Sequence, residues 1–390
     1  MPFSLAKIAY YKCSPEDRMW YNAIPGHKLT VCIQDCCEHL LSEDPPLVNS
    51  PLPEVCFFAA QYGHYDCLRQ AHLRGLPWNQ NTTNVAAREG NVECLRYAHE
   101  NGCNTLGDMV ALIGALGSQP ATLEYSLQSG FNLPPKICTM AARYGNVEVL
   151  KLLRQYDFVW DAVTTMEAAR FNQMEYLVYL HEHGCVWDTT TCSAAAQNGH
   201  YEILIYAHQN GCPWDASTCT LAAMNGHIKI LKYAHLNGCP WDFTTTTMAA
   251  RNGHKSCLKF ACRHGCVMNG MTTAAAAFGG HLDCLKYLHR HGCRWDHRTC
   301  KNAALAGQLK CLKYAHRNGC SWNSRTCQSA AEGGSLSCLK YAHQNGCKWN
   351  CRTIIGAAIN GNSECFDYAL KNGLKWPPRA TFRIRFGEQI

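Results

Sequence analysis

The sequence lacks the features that mark several large classes of protein. Across 390 residues it has no apolar run near the roughly 18 residues that a membrane span needs. Its first residues also lack the charged region followed by an apolar core that marks a signal peptide. Because 47% of the residues are hydrophobic and 17% are charged, a disordered chain is excluded. The 30 Gly and 15 Pro form no tract, which excludes collagen-like and low-complexity chains.

Catalytic and compact metal-binding strings are missing as well. The chain has no G-x-S-x-G string, no phosphate-binding loop and no H-E-x-x-H string. We therefore predict no enzyme, no catalytic residue and no cofactor. No C-x-x-C pair occurs among the 27 Cys, an odd number that cannot all pair within the chain. Without a secretory signal, we expect reduced thiols and a location in the cytoplasm or the nucleus.

What the sequence does have is a 27-residue repeat. Tryptophan recurs at this spacing from Trp160 to Trp241, and the register continues to Trp376. With one inserted residue it also extends back to Trp78. Repeats with such a short period are typical of stacked, solenoid-like folds.

The repeat divides the chain into three predicted parts. Twelve units form a solenoid over residues 52–376. Residues 1–51 precede it as an N-terminal cap or an adaptor segment, and residues 377–390 follow as a capping tail, since terminal units of a solenoid need covering.

Each unit is predicted to contain two short antiparallel helices. In one unit Thr218 suits an N-cap, and a short helix follows to Ala223. Gly226 ends that helix in the left-handed conformation, and a second helix follows from His227 to Asn237. Neither helix can bury its apolar face alone, so neighbouring units must stack. The predicted fold class is therefore an all-α solenoid of about twelve helix-turn-helix units.

The string A-A-x-x-G-H-x-x-x-L-K-x-x-x-x-x-G resembles the ankyrin repeat. In that family, T-P-L-H-x-A-A-x-x-G-H precedes a Leu-rich helix and G-A-x-V-N. Thr218-Cys219 stands here in place of Thr-Pro, and residues 238–242 (G-C-P-W-D) replace G-A-x-V-N. The ankyrin unit has 33 residues, so the six that are missing here would belong to its β-hairpin finger, and we predict tight turns instead. Short Cys- and Trp-rich units of this kind are similar to those in proteins of protists and large DNA viruses.

The recurrent Cys and His allow two interpretations. His-x-x-x-Cys recurs, as at His235 and Cys239, and both residue types bind zinc. However, Cys257 occupies the position at which Ile230 stands in a sister unit, and Cys262 replaces the recurrent His. Exchange of Cys with Ile indicates a small hydrophobic residue. We therefore predict core packing and no metal, with the recurrent Trp packing between repeats and the Gly-His histidine orienting loops through hydrogen bonds.

Charge is distributed unevenly along the chain. The net charge is +7, yet residues 251–320 hold 12 Lys or Arg and two acidic residues, a net charge of +10. Since residues 321–390 carry +5, the first 250 residues carry −8. Part of the positive charge repeats on one face of the second helix. This basic strip is a solvated face or a docking strip for an acidic protein, nucleic acid or anionic lipid. It consists of Lys232, Lys259, Arg263, Lys286, Arg290, Lys313, Arg317 and Lys340.

A second recurrent position lies on the first helix, directly after the Ala pair, and we call it the variable position. Its residue changes from unit to unit within an otherwise strict repeat, which suggests that it adjusts recognition. In ankyrin-like stacks the first helices line the concave face. We predict partner contacts at this position and its neighbours: Arg88, Arg143, Arg170, Met224, Arg251 and Phe278.

These observations predict a non-catalytic scaffold that presents an extended repeat surface to a partner protein, as a monomer without a transmembrane segment. A preformed surface loses little ordering entropy when it binds. Two alternatives stay open. The chain could be a substrate-recognition adaptor of a ubiquitin-ligase complex that docks through residues 1–51, or it could bind nucleic acid or an anionic membrane through its basic C-terminal half.

Overall fold

The computed structural model describes residues 54–103, 105–117 and 119–376. These residues form 24 α-helices and, within the same ranges, no β-strand. The all-α repeat fold predicted from the sequence is thus confirmed. The first twelve helices are α1 Glu54–Gln61, α2 Tyr65–Leu73, α3 Gln80–Glu89, α4 Val92–Glu100, α5 Gly107–Leu116, α6 Pro120–Gln128, α7 Ile137–Ala141, α8 Val147–Gln155, α9 Ala162–Arg170, α10 Met174–Glu182, α11 Thr189–Asn198 and α12 Tyr201–Gln209. The next twelve are α13 Ala216–Met224, α14 Ile228–Leu236, α15 Phe243–Arg251, α16 Lys255–Arg263, α17 Gly270–Phe278, α18 Leu282–Arg290, α19 His297–Leu305, α20 Leu309–Arg317, α21 Ser324–Glu332, α22 Leu336–Gln344, α23 Cys351–Ile359 and α24 Ser363–Lys371.

The helices form two compact units, each of which contains several of the 27-residue repeats. The first unit contains α1 to α6, and the second contains α9 to α24, while α7 and α8 contribute residues to both. In each unit the odd-numbered first helices pack side by side, and each also packs on its own even-numbered second helix. In the second unit, successive first helices share more contacts than successive second helices do. Each unit is therefore a helical repeat stack, and its tightest interface is the row of first helices.

Nine of the twelve first helices begin at an Asp or Asn N-cap, whereas α5 begins after Leu106, which forms no side-chain cap. Asp215 is the N-cap of α13, and its Oδ1 accepts a hydrogen bond of 2.9 Å from the backbone N–H of Ser217. The prediction that Thr218 caps this helix is wrong. Thr218 lies inside the first turn and is fully buried, where its methyl group packs and its Oγ1 lies 3.4 Å from Ser193 Oγ. The carboxylate is the stronger acceptor for the free N–H groups, so the helix starts three residues earlier. The same capping is made by Asn79, Asp161, Asp188, Asp242, Asn269, Asp296, Asn323 and Asn350.

Glycine in the left-handed region follows both helices of a repeat. Gly226, with φ of 80°, follows α13, and Gly238, with φ of 82°, follows α14. These are the two stops that the sequence predicted. Residues other than glycine rarely adopt this conformation, which reverses the chain within two residues. The turn from Cys239 to Asp242 then leads directly into the cap of α15, so no hairpin intervenes.

The core is built from small side chains on the first helices and larger ones on the second. Ala222 and Ala223 of α13 and Ile230, Leu231 and Ala234 of α14 are all at most 1% exposed. The alanines allow neighbouring first helices to approach closely, and the Leu and Ile side chains fill the space beneath them. No helix within the described ranges combines the length and apolar character needed to cross a bilayer.

Candidate interaction surface

The variable position lies at the C-terminal end of each first helix. In the first unit, Arg88 is exposed at the end of α3, and its Nε lies 3.1 Å from Oε1 of the adjacent Glu89. Both side chains are well solvated, so this pair contributes little to stability. The remaining predicted contact residues, Arg143, Arg170, Met224, Arg251 and Phe278, belong to the second unit.

Two of these arginines neutralise a buried carboxylate. Arg143 Nε lies 3.0 Å from Glu167 Oε2, and Arg170 Nη1 lies 2.8 Å from Glu167 Oε1. The Glu167 side chain is 6% exposed, whereas the arginines are about half exposed. The Arg143 guanidinium also lies over the ring of Phe171, 5.7 Å from its centroid. Both arginines are therefore already engaged by Glu167, whose single negative charge balances one of their two positive charges.

Arg251 has a different environment. Its guanidinium carbon lies 5.1 Å from the centroid of the Phe278 ring, which belongs to the next repeat. Among the described residues, no carboxylate forms an ion pair with Arg251. The structure thus brings together two residues that the sequence singled out, and it leaves the arginine charge available to a partner.

Arg251 and Phe278 line a groove of about 380 Å³ across α15, α17 and α19. Its apolar wall includes Met248 and Met271. Arg298 contributes a second guanidinium, but that group lies 2.8 Å from Asp296 and lowers the pKa of the Asp296 carboxyl. The other lining residues are Thr247, Ala274, Ala275 and Asn302.

A second groove of about 350 Å³ lies on the same row of first helices, across α9, α11 and α13. It contains Arg170, and its other lining residues are mostly polar: Met166, Thr189, Thr190, Ser193, Ala194, Gln197, Asp215, Ser217 and Leu221. Met224 is half-buried at the end of α13 and lines neither groove. Of the predicted contact residues, Arg251 and Phe278 are therefore the pair that shares a groove.

The lysines of the basic strip extend along the repeat stack. Lys313 Nζ lies 5.5 Å from the centroid of the Tyr341 ring, one repeat further on. The same contact recurs at 5.7–6.0 Å for Lys232 over Phe260, Lys259 over Tyr287, Lys286 over Tyr314 and Lys340 over Tyr368. Each cation–π contact of this kind contributes about 0.5–1 kcal/mol at an exposed site. The lysines therefore join repeats as well as carrying charge.

The arginines of the basic strip, Arg263, Arg290 and Arg317, are exposed one helical turn after the lysines. The first unit contains a related contact that the sequence analysis did not single out. There, the guanidinium carbon of Arg96 lies 5.2 Å from the centroid of the Tyr125 ring. On α16, α18 and α20 of the second unit, the strip lysine and the strip arginine four residues later share one solvent-facing side, as the spacing predicted.

The recurrent His, Trp and Tyr form the joint between successive second helices. His316 stacks on Trp322 of its own repeat, with centroids 3.7 Å apart, and its Nδ1 is hydrogen-bonded at 3.0 Å to the Tyr341 hydroxyl of the next repeat. The Trp322 ring also meets Tyr341 edge to face at 6.1 Å. The predicted packing of Trp between repeats is confirmed. We call the hydrogen bond a His–Tyr bridge; it recurs at His72–Tyr97, His99–Tyr125, His208–Tyr233, His289–Tyr314 and His343–Tyr368.

Sequence reasoning missed this bridge because it treated His as a partner of the nearby Cys. The signal that could have identified it is a constant separation of 25 residues between His and Tyr in the second unit. Burial lowers the pKa of His208 and His316, which favours the neutral ring that stacks on Trp.

In eight repeats, the cysteine that follows the second helix is buried and donates a weak hydrogen bond. Cys239 Sγ lies 3.3 Å from the carbonyl oxygen of Asp215, the N-cap residue of the same repeat. Equivalent contacts are made by Cys103, Cys185, Cys212, Cys266, Cys293, Cys320 and Cys347. The predicted core role of these residues is confirmed. Of the cysteines in the described ranges, 22 are free thiols, as predicted, whereas Cys67 is the exception and forms a disulfide.

The residue after the loop glycine connects each repeat to the one before it. His227 Nε2 donates to the Gln197 carbonyl oxygen at 3.2 Å, and His200 Nε2 donates to the Arg170 carbonyl oxygen at 2.9 Å. Asn91 does the same for Ala60 through its side-chain amide, at 2.9 Å. These donors satisfy carbonyl groups that the end of a helix leaves free, so each is an inter-repeat cap. The predicted hydrogen-bonding role of the Gly-His histidine is confirmed.

The Cys and His side chains do not converge into clusters. Within the described ranges, no group of three or more His, Cys, Asp or Glu side chains is arranged to hold a metal ion. Some thiols do meet in pairs, as Cys300 with Cys320 and Cys327 with Cys347, whose side chains are hydrogen-bonded to each other. The imidazoles instead contact Trp or a backbone carbonyl.

Part of the chain matches a known protein family. A family model described as ankyrin repeats, in three copies, matches residues 219–299. These residues include α15 to α18 and thus most of the groove that holds Arg251 and Phe278. No curated protein matches the chain.

Among solved structures, the chain is similar to the ankyrin repeat domain of human ASB11, at 18% identity with a TM-score of 0.35. That similarity covers 44% of this chain and 88% of the ASB11 chain. It is also similar to the pentatricopeptide repeat protein PPR10 in complex with an 18-nucleotide psaJ RNA element, at 13% identity with a TM-score of 0.40, covering 95% of this chain and 63% of PPR10. A structure of PPR10 from maize gives 15% identity, a TM-score of 0.33, and coverage of 94% and 64%.

Proposed function

Because the chain is an ankyrin-repeat protein, we propose that it is a non-catalytic scaffold that binds another protein through the first-helix face of its second unit. The contact that carries this proposal is Arg251 over Phe278, at 5.1 Å, in the groove across α15, α17 and α19. This groove combines an arginine charge that is not neutralised by the described part of the chain with a wall of methionine and phenylalanine. The partner that fits it is a segment with an acidic side chain beside apolar ones.

The chemistry of the groove favours such a segment for two reasons. A carboxylate that reaches Arg251 would form a charge-assisted hydrogen bond, which is roughly twice as strong as a hydrogen bond between neutral groups. Met248, Met271 and Phe278 offer flexible and aromatic surface next to that charge, and such surface adapts to apolar side chains of different shapes. Arg143 and Arg170 occupy the same position in their repeats, but Glu167 already binds both.

The proposal is tested by selecting binders from a library of short displayed peptides with the full-length chain. We expect the selected peptides to be enriched in Asp or Glu next to apolar residues. Arg251→Glu and Phe278→Ala should each weaken the best peptide about tenfold or more, which corresponds to about 1.4 kcal/mol. Fluorescence anisotropy of the labelled peptide measures the affinity.

Arg143→Ala is the matched control, since it removes an arginine from the same position in another repeat and should leave the affinity within about twofold. Enrichment of basic peptides, or equal loss in Arg251→Glu and Arg143→Ala, would contradict the proposal. Circular dichroism of each variant verifies that the helices are retained.

The adaptor function, the oligomeric state and the location in the cell stay predictions. Residues 1–51, which would dock a ubiquitin-ligase complex, lie outside the described residues. Deleting them should remove ligase subunits from an affinity purification while the cargo is kept, if the chain is such an adaptor. The monomeric state and the cytoplasmic or nuclear location also stay predictions.

Binding of nucleic acid or anionic membrane through the basic strip is tested by reversing Lys259, Lys286 and Lys313 to Glu. Such binding depends strongly on salt and should be abolished in the triple variant. The cation–π contacts of these lysines give them a packing role as well, so the triple variant must also be compared with the native chain for stability.

A further inference from the structure

Two successive joints of the second unit lack the His–Tyr bridge; at a third, between α10 and α12, His181 and Tyr206 meet edge to face at 5.9 Å but form no hydrogen bond with each other. At the joint between α14 and α16, His235 faces Phe260, which has no hydroxyl, with ring centroids 5.8 Å apart. At the joint between α16 and α18, Cys262 stands where the His of the bridge belongs, so Tyr287 faces no imidazole from the preceding repeat. The Tyr287 side chain is 8% exposed, and its hydroxyl forms no hydrogen bond within the described residues.

The stacking partner is also changed at the second of these joints. Met268 replaces the Trp on which the His stacks elsewhere, and Tyr287 packs instead on His291, at a centroid distance of 4.0 Å, within its own repeat. Lys259 lies over Tyr287, at 5.8 Å, and the Arg263 side chain of α16 also interacts with Tyr287, so cationic contacts cross this joint although no His–Tyr bridge does. The repeat formed by α15 and α16 thus has an unbridged joint on each side of its second helix.

The first-helix side of the same joint is tightly held. A Cβ added to Gly279, at the end of α17, would lie 1.9 Å from the Arg251 carbonyl oxygen, so the two backbones are in direct contact there. Thr247 Oγ1 and Thr272 Oγ1 lie 3.3 Å apart and also join α15 to α17. A joint held on one side and unbridged on the other can change its angle by moving apart on the unbridged side.

The groove of the proposed function lies on the held side of this joint. Arg251 belongs to α15 and Phe278 to α17, and their side chains extend from the held backbone contact, so a change in the angle between the two repeats moves these side chains relative to each other. We infer that the α16–α18 joint is a hinge whose opening adjusts the width of the groove and thereby regulates binding there. The regulatory part of this inference rests on the proposed function, whereas the hinge itself does not.

Hydrogen exchange of the full-length chain, followed by mass spectrometry, tests the hinge without any ligand. Exchange from locally opened states reports the free energy of opening. Since a neutral hydrogen bond contributes about 0.5–1.5 kcal/mol, we expect α16 and α18 to exchange about 3- to 10-fold faster than α20 and α22, which carry bridged joints. Equal protection of the two pairs would overturn the hinge.

Restoring the missing groups gives the matched variants. Cys262→His combined with Met268→Trp recreates the set found at His316 and Trp322, and Phe260→Tyr supplies the missing hydroxyl at the other joint. Each should slow exchange in α16 by a similar factor. The reverse change, Tyr341→Phe, should speed exchange in α20 and α22, and it keeps the test decisive if a restored variant folds poorly. Unchanged exchange in both directions would overturn the inference.

Regulation is read from the peptide selected in the binding experiment. Its affinity should change at least threefold in Cys262→His with Met268→Trp, although neither residue lines the groove. Slower exchange with an unchanged affinity would overturn regulation and leave the hinge standing. Failure of any peptide to bind would count against the proposed function alone, since exchange decides the hinge.

Discussion

Two segments of the second unit, residues 162–209 and residues 243–290, each contain two repeats in the same register. They differ in what the arginine at the variable position contacts. In the first segment, Arg170 and the preceding repeat's Arg143 share the buried carboxylate of Glu167. In the second, Arg251 lies over an aromatic ring. The two segments have the same backbone plan, so the difference resides in side chains.

This comparison separates structural from recognition positions. An arginine that compensates a buried charge is needed by the fold, because the carboxylate would otherwise be desolvated and unpaired. An arginine on a phenylalanine face contributes only about 0.5–1 kcal/mol to the fold and keeps its charge available to another molecule. The same position in a repeat can therefore serve stability in one copy and binding in another.

The largest effect should come from removing both arginines that bind Glu167. Arg143→Ala with Arg170→Ala leaves Glu167 buried without a counter-charge, which should lower the free energy of unfolding by about 2–3 kcal/mol. Arg251→Ala removes an exposed cation–π contact and should change it by less than about 1 kcal/mol. Urea denaturation of the full-length chain measures both. Similar losses in the two variants would remove the distinction between the segments.

The next effect concerns the close backbone contact in the second segment. Gly279→Ala forces a methyl group against the Arg251 carbonyl, and we expect a loss of about 1–2 kcal/mol from overpacking. Asn252 occupies the same position one repeat earlier, and Asn252→Ala should cost less than about 0.5 kcal/mol. If Gly279→Ala is as stable as the native chain, α15 and α17 are not held together as described.

Thiol labelling sharpens the contrast between unbridged and bridged joints. Burial raises the pKa of Cys257, Cys284 and Cys311 to about 11, so all three are protonated and protected in the folded chain. They differ in that the first two lie beside the unbridged joint. At pH 8, Cys257 and Cys284 should react with iodoacetamide about 3- to 10-fold faster than Cys311, as read by peptide mass spectrometry. Equal rates would mean that the joints open equally.

These raised pKa values also set a pH limit for the fold. A thiol whose pKa is about 11 when folded and lower when unfolded ionises first in the unfolded chain. Stability should therefore be insensitive to these groups below about pH 8 and should fall as the pH rises from about 9 towards 11. Denaturation midpoints measured at pH 8 and pH 10 in reducing buffer verify the sign.

The smallest effect is expected at the inter-repeat caps. The pKa of His254 is lowered by its burial and by the neighbouring His281 and His227, against the raising effect of the Met224 carbonyl. Because the unfolded chain then binds more protons near pH 6, stability should fall between pH 7 and pH 5. His254→Asn should be within about 0.5 kcal/mol of the native chain at pH 7, since Asn91 and Asn362 cap in the same way. It should also lose less stability at pH 5; a larger loss would reverse the assigned direction.

Much of the fold could be predicted from the sequence, and less of the surface. The 27-residue spacing predicted the helix pairs, the recurrent Ala pair indicated close packing, and Gly226 and Gly238 predicted where the helices end. The start of the first helix was predicted three residues too late, because Thr218 and Asp215 are both capping residues and the local pattern does not rank them. The identity of the groove residues was partly anticipated, since Arg251 and Phe278 were named for the variability of their position rather than for their contact.

By itself, the sequence determined the repeat, its two helices and its buried Cys, Leu and Ala, because these depend on residues within one unit. Tertiary structure alone decided which arginine charges are neutralised, which histidines meet a tyrosine and which joints stay unbridged. Those outcomes depend on side chains 24 to 27 residues apart, such as Arg143 with Glu167 or Arg251 with Phe278. Such side chains meet only when one repeat is stacked on the next, and the spacing of a pattern along the chain does not state what faces what across that interface.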